Sequence, residues 1–294
     1  LPGTQFTFVE RGSHLHAAMS GSGSGPDADQ ELLLQSLHAG AFASNPEAPA
    51  HARLDARVPL DPAQLTFRFT DHGLLIGPHS KGLLEELTDY EAFRKVGHPP
   101  LPRLPALLLQ TLDGAPPLAI ETGHTADQVE PVHGGVAVSG RDPAGRWTVS
   151  VLAPRASALA PYTLAVSGVE QSEERSHAFN HTRWHDGTAL LGWPVSPVED
   201  AVPWSELYWR RMGQVSDLAL FLWDGVNLSL AGVIDMQHSR TPPKCKEPWD
   251  CIDWYGNTRL FFFDSRIFAL SGPRLVEASW DGARLTPLRS VDLP

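Results

Sequence analysis

Cysteine is almost missing from this chain: its 294 residues hold two, Cys245 and Cys251. With no second pair, a four-thiolate zinc site is excluded. Apolar runs are short, and none approaches the ~18 residues that a membrane-spanning helix needs. Positive charge is scarce, because 23 Lys and Arg stand against 34 Asp and Glu, a net charge of −11. That balance disfavours nucleic acid and anionic membranes as partners. Long helical periodicity is also rare, since 26 prolines and 25 glycines are scattered through the whole length. Three motifs are absent as well: Gly-x-Ser-x-Gly, a phosphate-cradling glycine loop and His-Glu-x-x-His. Their absence argues against those classes of hydrolase.

What is present is a succession of short apolar runs jointed by Asp-Gly and Ser-Gly. Between Thr188 and Asp292 these include TALLGWPVS, SDLALFLWDG, VNLSLAGVID, TRLFFFDS, RIFALSG, PRLVEASWDG and ARLTPLRSVDL. Asp-Gly between two alternating runs is a strong hairpin signal, because the turn needs residues that tolerate positive φ. Hairpin after hairpin makes an all-β meander. From Leu107 onward, LLLQTLDGAPPLAIETG, VEPVHGGVAVSGRD, RWTVSVLAP and YTLAVSGVE continue the rhythm. Units of two to four strands recur at roughly 40 residues, the period of propeller blades. At that period the chain would supply about six or seven irregular blades in one domain spanning 1–294, with residues 1–100 the hardest to place. The strand at Phe6–Val9 is expected to complete the last blade and tie the ends together.

Upstream, residues 5–19 alternate as a strand or hairpin, and SGSGSGPDADQ at 20–30 reads as a flexible loop. The segment ELLLQSLHAGAF is expected to form a short helix. LTFRFTDHGLLIGP reads as a hairpin turning at Asp71-His72-Gly73. Residues 81–97 carry the one convincing helical pattern, a decoration on the β scaffold that is broken by Pro99 and Pro105.

Cys245 and Cys251 sit in the polar stretch KCKEPWDC. At this spacing a disulfide would close and pin a small loop, which places the chain in an oxidising, extracytoplasmic compartment: secreted, cell surface or periplasm. The chain opens on Leu1 rather than Met, so a mature, exported form is expected.

The collinear pieces from about 105 to 294 resemble a family of secreted bacterial β-propeller domains. Gly123-His124-Thr125-Ala126-Asp127 through Glu130 and Pro131 to Gly135 is similar to one strand-turn of that family. RWTVSVLAPRASALAPYTLAVSG is similar to a strand pair, and Ser176-His177-Ala178-Phe179 with ALLGWPVS to the element after it. DWYGNTRLFFFDSRIFALSGPRLVEASWDG resembles the closing blade. The family's paired histidines are reduced here to His177, with Ser176 in place of an aspartate. The resemblance implies a propeller fold outside the cytoplasm and carries over no catalytic residue.

Three groups of side chains could carry chemistry. His14 and His16 lie two apart, so on a strand both imidazoles face one way and could grip copper or zinc. Candidate distant ligands are His38, His51, His72, His79 and His133, with Met19 as a soft axial ligand for copper. The second group is His177, His181 and His185, which could converge on a metal from a loop, with Asp186 orienting one imidazole. The third is Trp249, Trp254 and Tyr255 with Asp250 and Asp253, aromatics on the pinned loop that suit sugar stacking or protein contact. Asn180-His-Thr182 and Asn227-Leu-Ser229 fit the N-glycosylation pattern, which loses force in a bacterial chain.

Two functions follow as expectations. The first is a structural or interaction module of the cell envelope, metal-binding or not. Its partners would be other envelope proteins, polysaccharide or further copies of itself. The second is a copper-dependent redox enzyme of the superoxide dismutase kind, built on a histidine cluster that includes His14 and His16. A sugar-binding propeller, resting on the exposed aromatics alone, comes third.

Overall fold

The computed structural model describes residues 7–22, 30–42, 51–58, 65–80, 106–155, 158–198, 216–236, 258–271 and 274–292. The expected helix at 81–97 and the loop carrying Cys245, Trp249, Cys251, Trp254 and Tyr255 lie outside them.

The described chain is all-β and forms five small antiparallel sheets. The first holds β1 (Phe8–Arg11), β2 (His14–Ser22), β3 (Gln30–His38) and β4 (Arg53–Val58), in chain order. The second holds β5 (Leu65–Thr70), β6 (Gly73–Pro78), β7 (Leu107–Gln110) and β8 (Leu118–Ile120). The third holds β9 (Gln128–Val132), β10 (Gly135–Arg141), β11 (Trp147–Arg155) and β12 (Ala158–Ala165). In the fourth, β13 (Val169–Gln171) and β14 (Asn180–Arg183) both pair with β15 (Ala189–Pro197), followed by β16 (Asp217–Trp223) and β17 (Leu228–Ile234). The fifth holds β18 (Arg259–Phe263), β19 (Arg266–Ser271), β20 (Arg274–Trp280) and β21 (Leu285–Asp292).

The hairpin reading holds in detail. Gly114, Gly187, Gly225 and Gly282 all take positive φ, between 81° and 97°. In each turn the preceding aspartate accepts a backbone N–H two residues on: Asp113 from Ala115, Asp186 from Thr188, Asp224 from Val226 and Asp281 from Ala283. Side-chain donors lead at three of them, Thr111 to Asp113, Thr188 to Asp186 and Asn227 to Asp224, and together with these backbone bonds they favour the charged carboxylate, so all four aspartates titrate below their ordinary value. Asp186 thus forms its turn through Thr188, and the neighbouring His185 adds to the same downward shift.

Two expectations change. The described residues make five sheets where six or seven blades are expected of the whole chain, and the N-terminal strand does not complete the last of them: β1 pairs with β2 in the first sheet, while the fifth is formed by β18 to β21. The segment expected as a helix, ELLLQSLH, is β3, and only Ala39–Phe42 turns helically, as a 3-10 turn. Leu32, Leu34 and Ser36 point inward while Leu33, Gln35 and Leu37 point outward, the period of two that a strand requires. Pairing with β2 on one side and β4 on the other overrides the helix-forming composition.

Why the middle strands read as unbroken apolar runs is also clear: they are covered on both faces. In β16, Leu218 and Leu220 join a cluster with Leu260, Ile267, Ala269 and Val276 of the fifth sheet. Ala219, Phe221 and Trp223 of the same strand join Trp147, Val149 and Val151 of the third. β6 divides likewise, with Leu74 and Ile76 packed toward the first sheet and Leu75 toward the third. Four apolar clusters thus seal the four junctions between successive sheets. Early strands neighbour early strands, β5 beside β9 and β14 beside β18, while last strands neighbour last strands, β12 beside β17 and β17 beside β21.

Candidate functional site

His14 and His16 share one face of β2, and of the candidate distant ligands His38 lies beside them. His14 pairs with His38 across β2 and β3, and their rings meet edge to face at 5.0 Å. His14 and His16 have ring centroids 6.0 Å apart. His38 is poorly set as a ligand through Nε2, because its Nδ1 accepts the Gly40 N–H at 3.0 Å. An imidazole accepting at Nδ1 carries its proton on Nε2. His16 faces Asp55, with Nδ1 3.8 Å from Oδ2, a separation too long for a hydrogen bond. Burial lowers the His16 pKa more than Asp55 raises it, so the ring is held neutral. His16 Nδ1, Asp55 Oδ2 and Ser36 Oγ are all buried, and among the described residues none has a hydrogen-bond partner. His16 and Ser36 are register partners and Asp55 lies on the next strand, so these unpartnered atoms are of the kind that a bound water satisfies.

The other histidines do not join them. His177 is exposed on the turn before β14, His181 lies in β14 and His185 is exposed on the turn after it. His181 instead stacks on Phe179 at 5.9 Å, and burial with a nearby His133 lowers its pKa. Among the described residues, no group of three or more His, Cys, Asp or Glu side chains is arranged to hold a metal. Trp249, Trp254, Tyr255 and the pairing of Cys245 with Cys251 fall outside the described residues.

A connected polar arrangement lies elsewhere, where strands of the second, third and fourth sheets meet. Arg68 of β5 forms an ion pair with Glu130 of β9. Glu130 Oε1 accepts from Gln128 Nε2 at 3.0 Å, and Gln128 Oε1 accepts from both Gln171 Nε2 at 2.6 Å and Trp193 Nε1 at 3.1 Å. Gln171 Oε1 accepts from the Ser139 hydroxyl at 2.7 Å, closing a chain through three sheets. Glu130 is only 4% exposed. Burial pushes its carboxyl up to about 7, with Arg68 and Gln128 opposing the shift. Such a group titrates near neutrality, where acids and bases are useful. It is also fully engaged, so the network ties sheets together as it stands.

Sequence reasoning missed this network. Its signal was present as two polar residues, Gln128 and Glu130, at alternate positions of a strand otherwise buried. Their partners are distant in sequence and become neighbours only when the sheets pack. Protein-family models and curated proteins offer no match to this chain.

Proposed function

We propose that the five sheets are blades of a β-propeller and that the chain is an interaction module of the cell envelope, outside the cytoplasm. The observation that carries this reading is the radial order: four sealed junctions in succession, with early strands beside early strands and last strands beside last strands. Closing the ring requires the outer face of the first sheet to meet that of the fifth. Both faces suit it. On the first sheet, cross-strand register puts Phe8, Leu15, Met19, Leu33 and Leu54 opposite the clustered face, with Glu10 and the Glu31–Arg57 ion pair. On the fifth, Phe261, Phe268, Leu270 and Leu275 share the outer face with Arg259 and with Glu277, which is paired to both Arg266 and Arg289. Apolar surface meets apolar surface, and after these internal pairs the first face keeps a net negative charge and the fifth a net positive one.

A rigid propeller with an acidic surface serves partners through its rims and outer edges. The extracytoplasmic location rests on the expected pairing of Cys245 with Cys251 and on the resemblance of 105–294 to secreted propellers. The experiment is to tag the full chain in its host, fractionate the cells and cross-link. The reading expects recovery outside the cytoplasm in a stoichiometric complex with an envelope protein or polysaccharide. A cytoplasmic, uncomplexed chain contradicts it.

A second reading, a copper-dependent redox enzyme, is favoured by His14 and His16 lying two apart on β2 with ring centroids 6.0 Å apart. Elemental analysis of native protein decides it. A site needs one full ion, and less than about 0.2 copper per chain ends the idea.

A further inference from the structure

Among the described residues the last strand of each sheet has no partner on its outer edge, and these edges are not alike. A strand edge presents unpaired N–H and C=O groups, and proteins guard such edges with charge, proline, shortness or bulges. β4 carries Arg53, Asp55 and Arg57. β8 is three residues long and follows Pro116 and Pro117. β12 has Pro161 at its centre, and β21 has Pro287, Arg289 and Asp292. β17, LSLAGVI, has no proline and no charge, and its one irregularity is a bulge where Ala231 stands unpaired. Among the described residues only β16 pairs with it.

Its side chains lean the same way. Leu230 and Val233 are 39% and 37% exposed, and Val226, just before the strand, is 63% exposed. Leu230 and Val233 continue outward the face that Phe221 and Ala219 bury against the third sheet. The ten residues from Gly225 to Ile234 are uncharged in a chain of net charge −11, and Asp224 and Asp235 bracket them. Those two carboxylates discriminate between occupants. A second copy of the 225–234 segment, added antiparallel about the Ser229–Leu230 step at its centre, would set Asp224 of each copy opposite Asp235 of the other, a like-charge clash at both ends. A strand with basic residues at both ends would instead meet an acid at each.

We propose that the β17 edge is a docking site for an extended segment of a partner protein, with an uncharged, β-branched centre and lysine or arginine at its ends. The segment adds to the fourth sheet as a further strand. Main-chain hydrogen bonds supply affinity, Leu230 and Val233 supply apolar contact, and Asp224 and Asp235 select the ends. The inference rests on the interaction-module reading and names the site and partner chemistry for it.

The test titrates full-length protein with a labelled synthetic peptide of alternating Thr and Val carrying a pair of lysines at each end. Saturable binding is expected, with amide-exchange protection appearing in β17. Leu230→Lys and Val233→Lys, at half-exposed positions, should each weaken binding about tenfold or more with an unchanged melting temperature. Leu288→Lys on β21 should change nothing, and glutamates in place of the peptide's lysines should weaken binding by a similar factor. Equal loss from Leu288→Lys, protection outside β17 or no binding by the lysine peptide overturns the proposal. So does a concentration-dependent dimer abolished by Leu230→Lys, which would assign the edge to a second copy. A host envelope partner retained equally by wild type and Leu230→Lys sinks the β17 site alone. No envelope partner for the wild type sinks the module reading itself.

Discussion

The junction between the third and fourth sheets and the outer faces of the first and fifth are built from similar residues and treated oppositely. At the junction, Trp193 is 1% exposed and meets Phe221 at 5.3 Å and Phe179 at 4.5 Å. Its indole N–H is spent on Gln128. On the fifth sheet, Phe263 is 64% exposed, and the cations of Arg259 and Arg266 lie over Phe261 and Phe268 at 5.2 and 4.8 Å. The first pattern is a finished core. The second is apolar surface with charged cover, the composition of a face that meets a partner surface. In a closed ring that partner is the first sheet.

Four changes break or sharpen this comparison. Trp193→Ala removes the centre of the aromatic cluster and leaves the Gln128 carbonyl with one donor fewer. It should lower unfolding free energy by about 4 kcal/mol or more, measured by denaturant titration.

Next is pH. The folded Glu130 carboxyl has its pKa raised from 4.5 to about 7. Between those values the native state binds more protons than the unfolded state, so this group's contribution to stability is greatest at low pH and falls as pH rises through the window. Above about 7 the loss is complete, on the order of 3 kcal/mol. Glu130→Gln should abolish this slope, so the variant gains on wild type from pH 4.5 to 7 and the two converge below it. Parallel pH profiles would remove Glu130 from the account.

Leu270→Ala and Leu33→Ala come third. If the outer faces meet, each should destabilise by about 2 kcal/mol, as a buried leucine does, whereas an open face should lose well under 1 kcal/mol. The smallest contrast is between tryptophans: Trp193→Phe breaks a hydrogen bond, but Trp147 Nε1 is buried with no partner among the described residues. Trp147→Phe should therefore be milder by about 1 kcal/mol.

What the sequence made legible follows physical range. The Asp-Gly turns at Asp186, Asp224 and Asp281 were readable because two adjacent residues set them. β3 was misread because Leu32, Leu33 and Leu34 form an apolar run that fits helix or strand, and its neighbours in the sheet decide. His14 and His16 were rightly placed on one strand face, while His38 joined them through cross-strand register. Arg68 and Glu130 were invisible as a pair, since their meeting depends on which sheets become neighbours. β17 looked like any other hairpin arm until the protected edges of β4, β8, β12 and β21 stood beside it.

The central claim is that the first and fifth sheets close the ring. Hairpin direction puts Met19 and Leu33 at the same end of their sheet as Leu270 and Leu275 are of theirs. A double-mutant cycle between Met19→Ala/Leu33→Ala and Leu270→Ala/Leu275→Ala tests it most directly. Closure predicts a coupling energy of about 1 kcal/mol or more, as for residues in contact. Additivity within about 0.4 kcal/mol, the behaviour of separated sites, would contradict it.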